Sequence, residues 1–320
     1  MQRRDFIKAS AILGAALSVP MLLRARSGMY ELTGSRKIYR ILKANATKVG
    51  TLPILRAFAG NQLDYVSPFV LFDEFGPVNL NAGADPLRVD AHPHAGVTPT
   101  TYFLSGSGHH KDSLDYDFQI EKGEFMMFNS GRGAIHMEET GTKMYEEGGD
   151  YHGFQIWLNM PAKDKYTLPT THVYNQKQMQ RIQTDAYEID VVLGDWNGKS
   201  SAIHMLTPAF YYHVKMKPNA RLDIPTDPTH NAFIYVIGGS AEVDGRRELK
   251  THHIALYERG ASDINLYSPE GCEMLVLGGK PLNETVYSYG PFVMNNEEQI
   301  KKCIKDYQEG KMGDPDAVNR

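Results

Sequence analysis

Apolar residues that alternate with polar ones, in short segments between closely spaced turns, constrain the fold of this chain most strongly. Residues 154–158 show this period of two, and glycine-rich turns such as Gly106-Ser107-Gly108 and Gly131-Arg132-Gly133 recur at short intervals. Side chains of a β-strand point alternately to its two faces, so the pattern predicts strands with one buried face. Many short strands joined by tight turns indicate a β-barrel or a β-sandwich.

The strand-rich pattern occurs twice along the chain. There are 320 residues, whereas a single domain commonly has about 100–200. A proline-containing polar stretch at residues 160–169 separates the first strand-rich block from the second. We therefore predict an all-β protein with tandem barrels at residues 37–165 and 170–290, followed by a C-terminal helix and tail at residues 291–320.

Local signals in the second block predict single elements. Gly238-Gly239 and Asp244-Gly245 are predicted as hairpin turns, since Asp-Gly is a strong short-range turn signal. Residues 176–184 are polar and are predicted to form one short helix. Near the C-terminus, apolar residues recur at helical spacing and stop before Gly310, which predicts the last helix. The predicted strands are residues 210–217, 231–237, 241–243, 253–257 and 273–277.

Charge and cysteine content exclude several partners and cofactors. The formal net charge is −4, and no basic face large enough for a phosphate backbone is evident, so we expect no nucleic-acid partner. Cys272 and Cys303 are the only cysteines and lie far apart in the sequence, which excludes a thiolate metal cluster. The sequence leaves open whether they form one long-range disulfide or two buried thiols.

The N-terminal segment has the pattern of an export signal. Arg3-Arg4, with Phe6 and Ile7 after it, precedes an apolar run at residues 9–23 that ends near small residues. The pattern resembles a twin-arginine signal, so we predict a signal peptide at residues 1–27 and a periplasmic mature protein without stable membrane insertion. The apolar run is shorter than the ~20 residues that span a bilayer. The alternatives are an amphipathic helix of the mature protein and a retained anchor.

Two pairs of potential metal ligands have the spacing of same-face residues on strands. His92-Pro93-His94 places two imidazoles at i and i+2, and His136-Met137-Glu138 repeats the spacing with an imidazole and a carboxylate. If the two strands are neighbours, these four side chains converge on one point. Three nitrogens and one carboxylate suit Fe(II), Mn, Ni, Co, Cu or Zn rather than Ca or Mg. We predict one divalent metal ion in the first barrel.

The other histidines have sequence contexts that favour no ligand role. His109 and His110 follow a Gly-Ser-Gly turn, and we interpret them as a loop feature. His252 and His253 are adjacent, so on a strand their side chains point to opposite faces. His152, His172, His204 and His213 are single in the sequence and are not interpreted as ligands. The alternative for the predicted ligands themselves is a set of separate surface histidines.

Several motifs resemble those of the pirin family. They include His92-Pro93-His94-Ala95-Gly96 and the segment that ends in His136-Met137-Glu138, which are similar to the two halves of the family motif. The resemblance extends over residues 37–313 and implies a bicupin, in which two cupin β-barrels are stacked and a short C-terminal helix follows. It also implies a metal, usually iron, in the N-terminal barrel and a second barrel without metal. The similar segments are 92–96, 131–138, 153–159, 278–282, 289–295 and 306–310.

The resemblance implies roles for the four predicted ligands. His92, His94, His136 and Glu138 match the family's metal ligands, with iron as the favoured metal. Several pirins act as quercetin 2,3-dioxygenases, which implies a flavonol or another small phenolic as substrate and Glu138 as the base that takes its hydroxyl proton. Eukaryotic pirins are described as transcriptional coregulators, so the alternative is a non-enzymatic metal-binding or redox-sensing protein that acts through a protein partner.

One segment beside the ligands differs from the family pattern. After the His-Pro-His motif, pirins usually continue with Arg-Gly-Phe-Glu, whereas this chain has Ala95-Gly96-Val97-Thr98, followed by Pro99. Ala95 cannot supply a guanidinium and Thr98 cannot supply a carboxylate. Groups around a metal centre tune its ligands, so this departure bears on the activity.

Overall fold

The structure is a computed structural model that describes residues 34–59, 65–245 and 247–320. Strands dominate these ranges, which confirms the predicted all-β fold class. The predicted signal peptide at residues 1–27 lies outside the described residues. Among the helices that are described, none combines the length and the apolar character needed to cross a membrane.

Two antiparallel sheets form the first barrel. The strands in this part of the chain are β1 (Ile38–Lys43), β2 (Asn45–Val49), β3 (Leu52–Ala59), β4 (Phe69–Leu80), β5 (Arg88–His94), β6 (Val97–Ser105), β7 (Gly108–Asp112), β8 (Asp117–Ile120), β9 (Phe125–Asn129), β10 (Ala134–Thr140), β11 (Gly149–Asn159) and β12 (Thr170–Tyr174). One sheet has the order β12-β9-β6-β11-β4-β3-β2, and the other has the order β5-β10-β7-β8. A short helix, α1 (Thr142–Glu147), connects β10 to β11.

The second barrel is built on a larger antiparallel sheet. Its part of the chain contains β13 (Gln180–Gln183), β14 (Tyr187–Leu193), β15 (Asp195–Trp196), β16 (Lys199–Ser200), β17 (Ala209–Met216), β18 (Ala220–Pro225), β19 (Asn231–Val243), β20 (Arg247–Lys250), β21 (His253–Tyr257), β22 (Asp263–Ser268) and β23 (Cys272–Gly279). The main path is β1-β21-β19-β23-β17-β14-β13; β20 and β22 join it at β19, and β18 pairs with β22. The strands β15 and β16 pair only with each other among the described strands.

Each barrel includes one strand from the other barrel's stretch of sequence. The predicted boundaries place residues 37–165 in the first barrel, and β1 pairs instead with β21 of the second. They place residues 170–290 in the second barrel, and β12 pairs with β9 of the first. Strand pairing through β1 and β12 therefore connects the two barrels.

The local turn predictions have mixed outcomes. Asp244-Gly245 forms the turn between β19 and β20, and both residues have positive φ (59° and 69°), as a tight hairpin requires. The hairpin predicted at Gly238-Gly239 is wrong, because β19 continues through both glycines with a shift in register against β23. The helix predicted at residues 176–184 is also wrong, because Asn175 caps only a single 3₁₀ turn, Gln176–Gln178, before β13 begins.

Aromatic side chains of both barrels form the contact between them. β4 is buried on both faces: Phe72 packs between the barrels, and Phe75 packs inside the first barrel. From the second barrel, Phe233 meets Phe69 and Phe72 edge-on, with ring centroids 5.1 Å and 5.8 Å apart. Edge-to-face aromatic pairs add to the free energy of apolar burial, so the two barrels share a continuous apolar contact.

One carboxylate is buried inside this contact. Glu74 is 0% exposed, and it accepts hydrogen bonds from His152 Nε2 of the first barrel at 2.7 Å and from His252 Nδ1 of the second at 2.9 Å. The Tyr235 hydroxyl also donates to it. The carboxylate thus joins the barrels through one histidine from each of them.

Glu74→Gln is expected to lower the free energy of unfolding by about 2–4 kcal/mol, because the amide nitrogen would face a histidine donor and leave it unsatisfied. Urea denaturation measures this change. The exposed Glu248→Gln provides the control, since it should change the free energy by less than about 0.5 kcal/mol. Equal stabilities of the two variants would contradict the role of Glu74.

The C-terminal segment covers the outer face of β5 and β10, the strands that carry the predicted metal ligands. It contains β24 (Tyr287–Tyr289), β25 (Phe292–Met294), α2 (Glu297–Gln308) and α3 (Pro315–Asn319). The helix predicted to end before Gly310 is confirmed as α2, and α3 follows it. Ile135 and Met137, which alternate with His136 and Glu138 on β10, lie in an apolar cluster with Phe292, Ile300 and Val318. These contacts therefore bury the outer face of β10 as fully as a barrel interior.

The two cysteines are separate thiols in the structure. Cys272 lies on β23 and Cys303 on α2, and both are buried and unpaired. Burial raises the pKa of the Cys303 thiol to about 11, which keeps it protonated near neutral pH. Of the two alternatives left open by the sequence, the structure has the buried thiols.

Lys165 connects the C-terminal segment to the residue just before β6 through hydrogen bonds. It is fully buried, and its Nζ donates to the carbonyl oxygens of Gly96 and Val293, both at 2.7 Å, and to Asn159 Oδ1 at 2.6 Å. Burial lowers the pKa of Lys165 to about 7. In the unfolded chain, lysine titrates near its ordinary pKa. The unfolded chain therefore binds more protons than the folded chain between pH 7 and pH 10.

The pH dependence of stability is expected to differ between the native chain and Lys165→Met. The stability of the native chain relative to the variant should rise with pH, by up to about 4 kcal/mol between pH 7 and pH 10, since about 1.4 kcal/mol corresponds to one unit of pKa. Urea denaturation at several pH values measures the difference. A difference that stays flat or falls as the pH rises would contradict the lowered pKa.

Candidate metal centre

Three of the predicted ligands lie together on the inner face of the four-stranded sheet. β5 and β10 are neighbours, and His136 pairs directly with His92 across them. The ring centroids of His92 and His136 lie 4.5 Å apart, and His94 lies 4.9 Å from each of them. His94 and His136 are fully buried. The strand register therefore produces the convergence that the i, i+2 spacing predicts.

The surroundings of the three rings keep them neutral. His92 Nδ1 lies 2.8 Å from the carbonyl oxygen of Asp90, which places the proton on Nδ1 and leaves Nε2 with its lone pair. Burial lowers the pKa of His92, and it lowers the pKa of His94 and His136 well below the ordinary range. Around His136, the neighbouring imidazoles act in the same direction. Neutral imidazole is the form that binds metals.

Nitrogen atoms without partners indicate that the cluster fits a metal ion. Both ring nitrogens of His94 and Nδ1 of His136 are buried and have no hydrogen-bond partner among the described residues. A buried polar atom without a partner costs about 1–3 kcal/mol. Two imidazole nitrogens on one ion, each bound at about 2.1 Å, lie about 3.0–3.4 Å apart. The two Nε2 atoms of His92 and His136 are 3.1 Å apart.

Glu138 lies beside this cluster and connects it to the opposite sheet. Its Oε1 is 3.0 Å from Thr101 Oγ1, and its Oε2 accepts a hydrogen bond from Gln155 Nε2 at 3.1 Å. Potential ligand atoms fall into two groups in the described chain, each with all atoms within 4.8 Å of one another: one is His92, His94 and His136, and the other is His110, His136 and Glu138. The four predicted ligands are thus divided between two groups that share His136.

His110 belongs to the site, although its sequence context suggests a loop. That interpretation of His109 and His110 is wrong, because both lie on β7, and His110 is 0% exposed. The Gly-Ser-Gly turn leads directly into this strand, with Gly108 as its first residue. The signal that could have identified the site residue is His110-Lys111-Asp112, which repeats the i, i+2 spacing of the two predicted pairs.

A cavity of about 490 Å³ opens beside Glu138, within the range of roughly 300–1,000 Å³ that is typical of small-molecule sites. Most of its wall is apolar or aromatic. A row of polar side chains crosses this wall on four adjacent strands, where Arg56 pairs in register with Asp73, Asp73 with Gln155, and Gln155 with Thr101. The aromatic side chains that line the cavity are Phe75, Phe103, Tyr151 and Trp157.

The residues that depart from the pirin pattern face other parts of the fold. Ala95 is fully buried in the apolar cluster under the C-terminal segment. Thr98 donates a hydrogen bond to Asn129 Oδ1 at 2.9 Å, and Pro99 lies opposite Trp157 on the neighbouring strand. The substitutions therefore alter the support of the ligand strands rather than the ligands.

Comparisons with known proteins agree with the fold. The Pirin family model matches residues 51–158, and the model of the Pirin C-terminal cupin domain matches residues 211–313. A Pseudomonas aeruginosa protein named as a candidate quercetin 2,3-dioxygenase is 31% identical over 270 residues, which cover 80% of this chain and 90% of that protein. Human Pirin is 29% identical over 265 residues, which cover 81% of this chain and 88% of that protein.

A solved structure extends the likeness to the whole fold. The crystal structure of a quercetin 2,3-dioxygenase from Acinetobacter baumannii has a TM-score of 0.85 and 27% sequence identity, and the match covers 88% of this chain and 100% of that chain. Together with the histidine and glutamate cluster, these relatives indicate a metal-binding site in the first barrel. On the sequence matches over both barrels, the chain belongs to the pirin family.

Proposed function

We propose that this protein is a metal-dependent dioxygenase that acts on a flavonol or a related phenolic, with His92, His94, His136 and Glu138 as ligands of one divalent ion. The observation that carries the proposal is a cluster of neutral imidazoles and a carboxylate beside an apolar cavity of about 490 Å³. Iron is the favoured ion, and Mn, Ni, Co, Cu and Zn have compatible ligand preferences. The name of the Acinetobacter relative supports the choice of substrate.

The residues around the cavity have separate tasks in this reaction. The aromatic wall packs against the flat ring system of the substrate and excludes water. Glu138 accepts the proton of the phenolic hydroxyl, and Thr101 and Gln155 hold its carboxylate at the cavity edge. A bound divalent ion supplies the Lewis-acid and redox chemistry by which the deprotonated phenolic reacts with dioxygen.

The Arg56–Asp73 pair is expected to contribute to substrate affinity. It lines the cavity at the far end of the polar row from Glu138, and it is bidentate, with Nε–Oδ1 and Nη2–Oδ2 distances of 2.8 Å and 2.6 Å. Arg56→Met should weaken quercetin binding about tenfold, which equals the loss of one hydrogen bond to a charged group. Quenching of protein fluorescence by quercetin measures the affinity.

An exposed ion pair provides the matched control. Arg181 and Asp190 have the same bidentate geometry, with distances of 2.6 Å and 2.8 Å, on the surface of the second barrel. Arg181→Met should leave quercetin binding unchanged. Equal affinities of the Arg56 and Arg181 variants would show that the cavity pair does not contact the substrate.

Turnover of quercetin by protein of known metal content tests the proposed reaction. Preparations loaded with iron, manganese or nickel should consume quercetin and dioxygen in equal amounts under air, and metal-free protein should not. Unchanged quercetin with confirmed metal content would contradict the proposal. The alternative would then be a metal-binding or redox-sensing protein that acts through a protein partner.

Export to the periplasm is also part of the proposal, on the basis of the Arg3-Arg4 pattern and the apolar run after it. Fractionation of cells that produce the full chain tests it. The native chain should lie in the periplasm, and a variant with Arg3→Lys and Arg4→Lys should stay in the cytoplasm. A native chain found in the cytoplasm would contradict export and favour an intracellular partner.

A further inference from the structure

His110 occupies the inner face of the four-stranded sheet next to Glu138. The two residues pair directly between β7 and β10, so their side chains lie side by side. The His110 ring stacks on Phe118 at 5.1 Å and lies 5.2 Å from the His136 ring, between centroids. Its side chain is fully buried. His110 lies outside the segments that resemble the pirin motifs.

Asp112 fixes the proton of the His110 ring. His110 Nε2 lies 3.0 Å from Asp112 Oδ2, which also accepts a hydrogen bond from Thr171 Oγ1 at 2.5 Å. A carboxylate only accepts, so the proton lies on Nε2 and the lone pair lies on Nδ1. A carboxylate that orients a histidine in this way is a common support of metal-binding imidazoles.

The lone pair of His110 has no partner in the described part of the chain. His110 Nδ1 is buried without a hydrogen bond, at a cost of about 1–3 kcal/mol. Phenylalanine at this position would keep the stack on Phe118 without that cost. A role limited to core packing therefore does not explain why a histidine, an aspartate and a threonine are arranged here.

We propose that His110 is a fourth histidine ligand, which binds a divalent cation together with His136 and Glu138. The ligand atoms of these three residues lie within 4.8 Å of one another. Their group shares His136 with the group of His92 and His94 and so offers the cation a second, overlapping position. This inference needs metal binding alone and does not depend on the proposed reaction with quercetin.

Cobalt(II) titration of metal-free protein, followed by visible absorption, tests the second position. His94→Ala breaks the first group, and this variant should still bind cobalt weakly through the second. Adding His110→Phe to that variant should weaken cobalt binding at least a further tenfold and remove the absorption that remains. His110→Phe alone should shift the absorption bands. The exposed His172→Ala, one residue after Thr171, is the control and should match the native chain.

The outcome that overturns the proposal is a His110→Phe substitution that changes neither the cobalt affinity nor the spectrum, whether it is made in the native chain or in His94→Ala. Phenylalanine preserves the ring and its stack, and circular dichroism verifies the fold of each variant. If His110→Phe does not fold, Asp112→Asn replaces it, because the amide keeps an acceptor for His110 but loses the charge that holds the proton on Nε2. A reduction of 10–100-fold in cobalt affinity is then expected, and unchanged affinity would overturn the proposal.

Discussion

His94→Ala is expected to lower the affinity of the protein for divalent metal at least about 100-fold, since even loss of a supporting group around a metal site commonly costs 10–100-fold. His94 lies 4.9 Å from both neighbouring imidazoles, between ring centroids, and is fully buried. Its removal leaves His92 and His136 as the only described ligands of the first group. Metal content after dialysis against buffer with a low concentration of free metal measures the effect.

The control for this prediction is His172→Ala, which removes an exposed histidine from β12. It should retain native metal content. If His94→Ala also retains native metal content, His92, His94 and His136 do not form the metal site, and the functional proposal fails with it.

Glu138→Gln is expected to lower the turnover of quercetin about 10²–10⁴-fold, the contribution that is typical of a positioned general base. Glutamine keeps the size of the side chain and an oxygen that can accept a hydrogen bond, so Thr101 and Gln155 still hold it in place. It cannot take the phenolic proton. The turnover number at saturating quercetin, measured at equal metal content, isolates this effect from metal loss.

The exposed Glu121→Gln should have native turnover under the same conditions. A Glu138→Gln variant within twofold of the native turnover number would contradict the role of Glu138 as base. A variant that lost its metal would instead identify Glu138 as a ligand without testing proton transfer.

The parts of the fold that depend on local patterns are predictable from the sequence. Residues 253–257 form β21 with the predicted bounds, and the Asp244-Gly245 turn follows from the φ values that this dipeptide tolerates. The same-face spacing of His92, His94 and His136 required only that two strands be neighbours, and the pairing of β5 with β10 provides this.

Long-range contacts account for what could not be predicted. Glu74 follows Asp73 on a mostly apolar strand, and its partners His152 and His252 lie on different barrels. His110 lies beside Glu138 because β7 pairs with β10, and the i, i+2 spacing of His110 and Asp112 does not by itself predict this pairing. The exchange of β1 and β12 between the barrels also depends on pairing with distant strands.

The most direct test of the central claim is a crystal structure of the metal-loaded protein, with anomalous diffraction recorded at the absorption edge of the bound metal. An anomalous peak is expected in the interior of the first barrel, in contact with His136 and bounded by His92, His94 and Glu138. The absence of an anomalous peak from the barrel interior, or a peak elsewhere on the chain, would contradict a metal site in the first barrel.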